Sequence, residues 1–246
     1  MKIFYRILLL ALIVIGCSSN DPQKIIDKAI GAAGGEKYLH ATIEFDFRGR
    51  HYITQREGGK YSYQRIFKDT KDSTNIVHDF VTNEGFIRKI NDSVVTVPDS
   101  MKVKYTSSIN SVIYFALLPY GLNDASVKKK FLGETILDNQ SFYKIEITFG
   151  QEGGGEDFED TFNYWINQSD FTIGYLSYSF SEDNKIDYRL RKAYHQQRVN
   201  GILFQDFINY QPKRNSEVKL EDMELLYKRN ELEELSKIEN TTISVR

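Results

Sequence analysis

The chain has few of the residues on which several protein classes depend. Its 246 residues include one cysteine, Cys17, so an intramolecular disulfide is excluded and packing must hold the fold together. No apolar run reaches the roughly 20 residues that a membrane-spanning helix needs. Basic side chains number 32 against 34 acidic ones, which argues against a nucleic-acid partner because phosphate neutralisation needs a basic surface.

Motifs for metal, cofactor or nucleophile chemistry are also lacking. The four histidines are scattered along the chain and make no His-Glu-x-x-His pattern: His40, His51, His78 and His195. There is no Gly-x-Ser-x-Gly, no Walker loop and no dinucleotide fingerprint. The sequence therefore predicts neither a metal site nor a cofactor, although catalytic triads are defined by geometry and not by sequence order.

The first residues present form the pattern of an export signal. Lys2 and Arg6 are followed by an apolar stretch over 7–15, then by Gly16 and Cys17. The run Val14-Ile15-Gly16-Cys17 resembles the lipobox of bacterial lipoproteins. This resemblance implies a signal peptide over 1–16 and a diacylated Cys17, whose two acyl chains anchor the protein stably where one would not. The alternative is an incidental thiol after an ordinary signal peptide.

The rest of the chain has a β-sheet composition, with 16 Tyr and 16 Phe recurring at alternate positions. Period-two patterning predicts strands over 43–53, 61–67, 143–149, 158–166, 171–180, 188–194 and 202–210. Asn200-Gly201 is the strongest hairpin signal between two of them.

Helical spacing appears in three places. Asp21-Pro22 predicts a helix start and Gly34-Gly35 its end, with a short helical turn over 36–40. Apolar residues recur from Met101 to Leu117 until Pro119 stops the pattern. A third helix is predicted over 220–228, and 232–245 either extends it or forms a last strand.

These elements predict a mainly β fold with few helices, either an incomplete antiparallel β-barrel or a strongly curved sheet covered by one or two helices. No Pro-, Gly- or Ser-rich linker divides the chain after the signal. We therefore expect a lipidated tether over 17–21 and one curved-sheet domain over 22–246.

Four segments carry a more specific resemblance: Ala29–Tyr38, Tyr114–Asp124, Gly153–Asp157 and Tyr164–Ile166. They resemble an uncharacterised family of bacterial lipoproteins, classed as a domain of unknown function. The order of elements is similar to that of lipoprotein-localisation carrier proteins, which implies a concave sheet covered by helices. The resemblance to this family implies a protein of the cell envelope that is lipid-anchored to the outer membrane. It implies no particular chemistry.

The densest charge cluster is an acidic run over 151–160 that contains three glycines and no basic residue. It is read as a solvated hairpin loop, or else as a cation site or a carboxylate pair for acid–base chemistry. In the catalytic interpretation Asp157 and Asp160 would act on an envelope component such as a glycan.

A second group of candidates lies on predicted strands. Trp165 and Tyr175 are core residues by default but would line an acyl pocket if the covering helix leaves a gap. Arg189, Arg191 and His195 alternate on one strand and form either cross-strand ion pairs or a ligand cleft.

The function predicted from these observations is that of a membrane-anchored, non-enzymatic envelope protein. It would hold a hydrophobic or amphipathic ligand between the sheet and the helix Met101–Leu117. An envelope hydrolase using Asp157 and Asp160, or a structural module that binds a protein partner, are the alternatives.

Overall fold

A computed structural model of the chain describes residues 20–150, 160–182, 185–213 and 218–246. Cys17 and Asp157 lie outside these ranges. The described residues include three α-helices: α1 (Pro22–Ala33), α2 (Asp99–Ala116) and α3 (Met223–Lys228). Short 3₁₀ helices cover Gly35–Leu39, Tyr120–Asn123 and Leu220–Asp222. Within the described ranges, no helix combines the length and apolar character needed to cross a bilayer.

The strands form two seven-stranded antiparallel sheets. The first sheet has the order β14-β1-β2-β3-β4-β5-β6 and contains β1 (Thr42–Phe47), β2 (Arg50–Glu57), β3 (Lys60–Lys68), β4 (Ile76–Thr82), β5 (Gly85–Ile90), β6 (Ser93–Val95) and β14 (Thr241–Val245). The second sheet has the order β13-β12-β11-β10-β9-β8-β7 and contains β7 (Val127–Leu137), β8 (Gln140–Phe149), β9 (Phe162–Asn167), β10 (Ile173–Glu182), β11 (Lys185–Val199), β12 (Ile202–Pro212) and β13 (Leu232–Ile238).

Neighbouring strands in sequence are mostly hairpin neighbours in space, and tight turns explain why. The predicted Asn200-Gly201 turn is confirmed, with φ of 48° and 84°, and it joins β11 and β12. The predicted single strand over 43–53 is wrong, because Arg48 (φ 49°) and Gly49 (φ 71°) turn the chain back between β1 and β2. Arginine is not a typical turn residue, so Arg48 did not indicate a turn in the sequence, and Gly49 alone was not enough to divide the strand.

The C-terminal segment links the two sheets. β13 pairs with β12 at the edge of the second sheet, and after two residues the chain continues as β14, paired with β1 of the first sheet. Residues 232–245 therefore form strands and do not extend α3. The prediction of a mainly β, unclosed antiparallel structure with few helices is confirmed.

The helices cover defined faces of this framework. Ile25, Ile26 and Ala29 of α1 pack on apolar side chains of β8, β9, β10 and β12. Ile109 and Ile113 of α2 pack on the first sheet and on the start of β12. Met223, the first residue of α3, joins a separate core on the opposite face of the second sheet. One face of the second sheet is therefore directed at α1 and α2, and the other at α3.

Candidate functional site: a cleft beside helix α2

A cleft of about 490 Å³ lies between α2 and the strands β11–β13. Its volume is within the range of small-molecule sites, roughly 300–1,000 Å³. Half of the lining residues are apolar: Phe47, Val112, Phe115, Ala116, Phe207, Leu235 and Ile238. The other half are polar or charged: Arg48, Ser111, Arg191, Gln205, Asn209, Ser236 and Asn240. The arrangement is that of an amphipathic binding site, in which aromatic and aliphatic side chains lie beside several polar groups.

Helix α2 separates this cleft from a second cavity of about 770 Å³. The cleft is lined by residues 111, 112, 115 and 116 of α2, whereas the second cavity is lined by 110, 113, 114 and 117 of the same segment. At 3.6 residues per turn these two sets lie on opposite sides of the helix. The face that packs on the first sheet lies between them, so α2 is held along one stripe and both of its flanks border a cavity.

The second cavity is lined by several charged residues, and one of them, Arg56, already has partners in the protein. Arg56 donates to the hydroxyl groups of Tyr63 (2.6 Å) and Thr54 (3.2 Å) and lies over the rings of Tyr63 and Tyr120. A third, polar groove of about 670 Å³ is formed largely by amide and hydroxyl side chains near the turns that follow β7 and β9. The cleft beside α2 is the most apolar of the three in its lining residues.

Arg191 is the unusual residue of the cleft. It is 9 % exposed, and its guanidinium lies 3.7 Å from the centre of the Phe115 ring. One of its terminal nitrogens donates to the Tyr178 hydroxyl at 2.8 Å, whereas its Nε donates to no described group of the protein. Burial lowers the pKa of Arg191, although an arginine remains charged at neutral pH. The cleft therefore contains a buried positive charge.

A hydrogen bond between two tyrosine hydroxyl groups links α2 to the second sheet. Tyr114 of α2 and Tyr164 of β9 share a hydrogen bond of 2.8 Å, and burial raises the pKa of both. This bond ties α2 to the second sheet next to Phe115.

The sequence-predicted candidates separate onto two faces. Arg191 lines the cleft and Arg189 lies over the ring of Phe180, in the core beneath α1. Trp165 and Tyr175 lie on the opposite face, in the core that contains Met223. Neighbours in a strand point to opposite faces, so Tyr164 and Trp165 cannot both line the cleft.

The two aromatic candidates make structural contacts there. Trp165 is fully buried and its indole nitrogen donates to Glu224 at 3.2 Å. The Tyr175 hydroxyl donates to Asp138 at 2.7 Å. Neither residue forms part of the cleft.

His195 pairs with Asp206 at 2.8 Å, and the other oxygen of that carboxylate accepts the backbone N–H of Asn240 at 3.0 Å. Asp160 is described but the other members of the acidic run are not, so the suggested pair of Asp157 and Asp160 stays a prediction. No group of three or more His, Cys, Asp or Glu side chains placed to hold a metal ion occurs in the described part of the chain.

Of the ligand-binding residues predicted from the sequence, only Arg191 lines the cleft, and the lining residues that were missed include Phe115, Gln205 and Asn209. Phe115 lies on the predicted helix but outside its core stripe. The other two are polar residues within β12, whose sequence is otherwise that of a buried apolar strand. A polar side chain in such a strand was the only sequence signal for them.

A family profile described as a family of unknown function (DUF6503) matches residues 1–240. The chain belongs to this family. The sequence resemblance to a family of unknown function is thereby confirmed. A search of the curated proteins found no match for this DUF6503 member.

Solved structures similar to this DUF6503 chain include a LolA superfamily protein of Nitrosomonas europaea, 10 % identical, with 92 % of this chain and 93 % of that chain covered and a TM-score of 0.47. A DUF1329 family protein of Desulfovibrio piger is 12 % identical, covers 91 % and 93 %, and has a TM-score of 0.41. A putative outer membrane lipoprotein-sorting protein domain of Vibrio parahaemolyticus is 8 % identical, covers 82 % and 97 %, and has a TM-score of 0.38. The fold described above rests on this chain's own strand order.

Proposed function

We propose that the protein is a lipid-anchored component of a bacterial envelope that binds a hydrophobic or amphipathic ligand in the cleft beside α2. The single observation that supports this function is the cleft itself. Aromatic and aliphatic side chains from α2, β12 and β13 border about 490 Å³ of space instead of packing against one another. Protein interiors are normally close-packed, so an apolar space of this size indicates a binding site.

The construction of α2 supports the same function. Its buried residues Ile109, Ile113 and Ala116 hold it on the first sheet, while Val112 and Phe115 are only partly buried on the flank that borders the cleft. A ligand that enters there would cover these partly exposed side chains. The apolar contacts it gains are then the main source of affinity.

The anchor is proposed from the sequence. Cys17 follows Gly16 and an apolar stretch, and a tether over 17–21 would place the domain next to the membrane surface that supplies the ligand. Mass spectrometry of the protein extracted from membranes should show acyl groups on Cys17. A chain cleaved elsewhere, or one in which Cys17→Ser stays fully in the membrane pellet, would refute the anchor.

Binding is tested with a series of alkyl chains of increasing length. Each buried methylene contributes about 0.8 kcal/mol, so affinity should rise about fourfold per methylene until the chain outgrows the cleft. Val112→Trp fills the cleft from α2 and should abolish binding. Asn110→Trp places the same bulk on the opposite flank of α2 and should not.

Affinity that is independent of chain length, or equal effects of the two tryptophan substitutions, would contradict a site in the cleft. An envelope hydrolase that uses Asp157 and Asp160 remains the second candidate. It predicts that Asp157→Asn abolishes a measured turnover in a folded protein.

A further inference from the structure

The other buried arginine among the described residues, Arg65, is paired with a carboxylate. Arg65 is 3 % exposed, and it donates two hydrogen bonds to Asp79, at 2.7 and 3.1 Å. Asp79 also accepts from Arg88 at 2.6 Å. A buried charge without such a partner is costly, because the water it loses is not replaced. On the first sheet, the buried charge of Arg65 is therefore balanced by the carboxylate of Asp79.

Arg191 has no carboxylate partner of this kind among the described residues. Among the described residues it forms no ion pair, and its contacts are one neutral hydroxyl, that of Tyr178, and two aromatic rings. A guanidinium has five N–H donors, and the buried Nε of Arg191 uses none of the described acceptors. The contacts with the two aromatic rings offset part of the cost of burying the charge, but they leave the Nε–H without an acceptor among the described residues.

The described lining of the cleft offers Arg191 no negative charge. No residue known to line the cleft, within the described part of the chain, is an Asp or a Glu. A second arginine, Arg48, lies at the rim, where the turn between β1 and β2 exposes it. Two positive charges in a low-dielectric cleft attract an anion and favour its binding over that of a neutral molecule.

We propose that the ligand of the cleft is an amphiphile with an anionic head group, a carboxylate or a phosphate, and a single alkyl tail. The head group accepts hydrogen bonds from Arg191, and the tail lies along Val112, Phe115 and Phe207. Arg48 attracts the head group at the rim. This inference rests on the proposed function and adds the chemical class of the ligand.

The test compares three probes with the same alkyl chain: hexadecanoate, hexadecyl phosphate and hexadecanol. The full chain is purified in one fixed detergent, which competes equally with all three, and affinities are measured at a pH where both acids are ionised. Hydrogen bonds to charged groups are stronger than neutral ones, so at least one of the two anions should bind at least tenfold more tightly than the alcohol. The anion that binds more tightly identifies the source of the head group.

Arg191→Met should reduce this preference for the anion to within about twofold, because it weakens the binding of the anions much more than that of hexadecanol, whose neutral hydroxyl makes the weaker hydrogen bond. Arg191→Gln repeats the test with a polar side chain if the first variant does not fold. Lys192→Met is the matched control, because Lys192 is the next residue of β11 but reaches Asp138 on the opposite face of the sheet. It removes the same charge and should leave the preference intact.

The outcomes separate the two claims. If hexadecanol binds as tightly as both anions, or if the preference survives Arg191→Met and Arg191→Gln, the anionic head group is refuted while the hydrophobic site stands. If Lys192→Met removes the preference as well, net charge and not Arg191 is responsible, and the inference is again refuted. If none of the probes binds, the proposed function itself fails.

Discussion

Replacing Arg191 by methionine should stabilise the ligand-free protein. Arg191 is a buried cation whose described partners are the Tyr178 hydroxyl and the rings of Phe115 and Tyr178. Replacing buried ionic groups by apolar side chains of similar size is neutral or stabilising by about 1–4 kcal/mol. The lost hydrogen bond and ring contacts place the expected gain at the low end of this range. We therefore expect the free energy of unfolding to rise by about 1 kcal/mol.

Arg65→Met is the matched comparison. It removes a buried arginine of nearly equal exposure, but one that is paired with Asp79. Asp79 is fully buried and would keep only Arg88. Losing one partner of a buried pair costs about 3–5 kcal/mol, and the remaining arginine reduces this to about 2 kcal/mol of destabilisation.

Urea denaturation of the full chain, followed by tyrosine and tryptophan fluorescence after removal of bound lipid, measures both changes. Opposite signs for Arg191→Met and Arg65→Met are expected. A loss of more than about 1 kcal/mol for Arg191→Met would mean that Arg191 is a structural residue, and it would refute the reasoning.

Further predictions concern packing outside the cleft. Bonds from Lys228 and Thr135 and the charge of Lys144 outweigh burial and lower the pKa of Glu224 from 4.5 to about 2. A lowered pKa stabilises the fold above pH 4.5, so Glu224→Gln should cost about 2 kcal/mol at pH 7 in urea denaturation, and this difference should vanish as the pH falls towards 2; a pH-independent difference would contradict it. Gly174→Ala places a Cβ 2.3 Å from the buried Phe142 ring, so we expect a loss of about 1–3 kcal/mol in thermal denaturation, partly restored by Phe142→Leu. Tyr114→Phe or Tyr164→Phe alone should cost about 1–3 kcal/mol by leaving a buried hydroxyl unpaired, whereas the double substitution should be nearly neutral in a double-mutant cycle.

Local signals predicted the helices well. The Asp21 side chain does cap α1 by accepting the N–H of Gln23, and Gly34 ends the helix with a φ of 145° that favours glycine. The predicted start and end of α2 differ from Asp99–Ala116 by two residues or fewer. Capping and helical spacing are properties of neighbouring residues, so one sequence is enough to show them.

The site could not be predicted in the same way. Arg191 becomes unusual only when Phe115, Tyr178 and Phe207 are brought around it, and no local pattern encodes that meeting. Tyr164 and Trp165 are neighbours in β9 and therefore face opposite ways, but which face lies beneath α2 depends on long-range packing. The link from β13 to β14 across the two sheets likewise depends on pairings distant in sequence.

Native mass spectrometry of the full chain, released gently from its own membrane, shows whether the cleft beside α2 holds an anionic amphiphile. We expect a non-covalent ligand, ejected as an anion with an alkyl chain, that is retained by Asn110→Trp and lost from Val112→Trp. A chain that carries no such ligand, or that carries the same ligand in both variants, would contradict it.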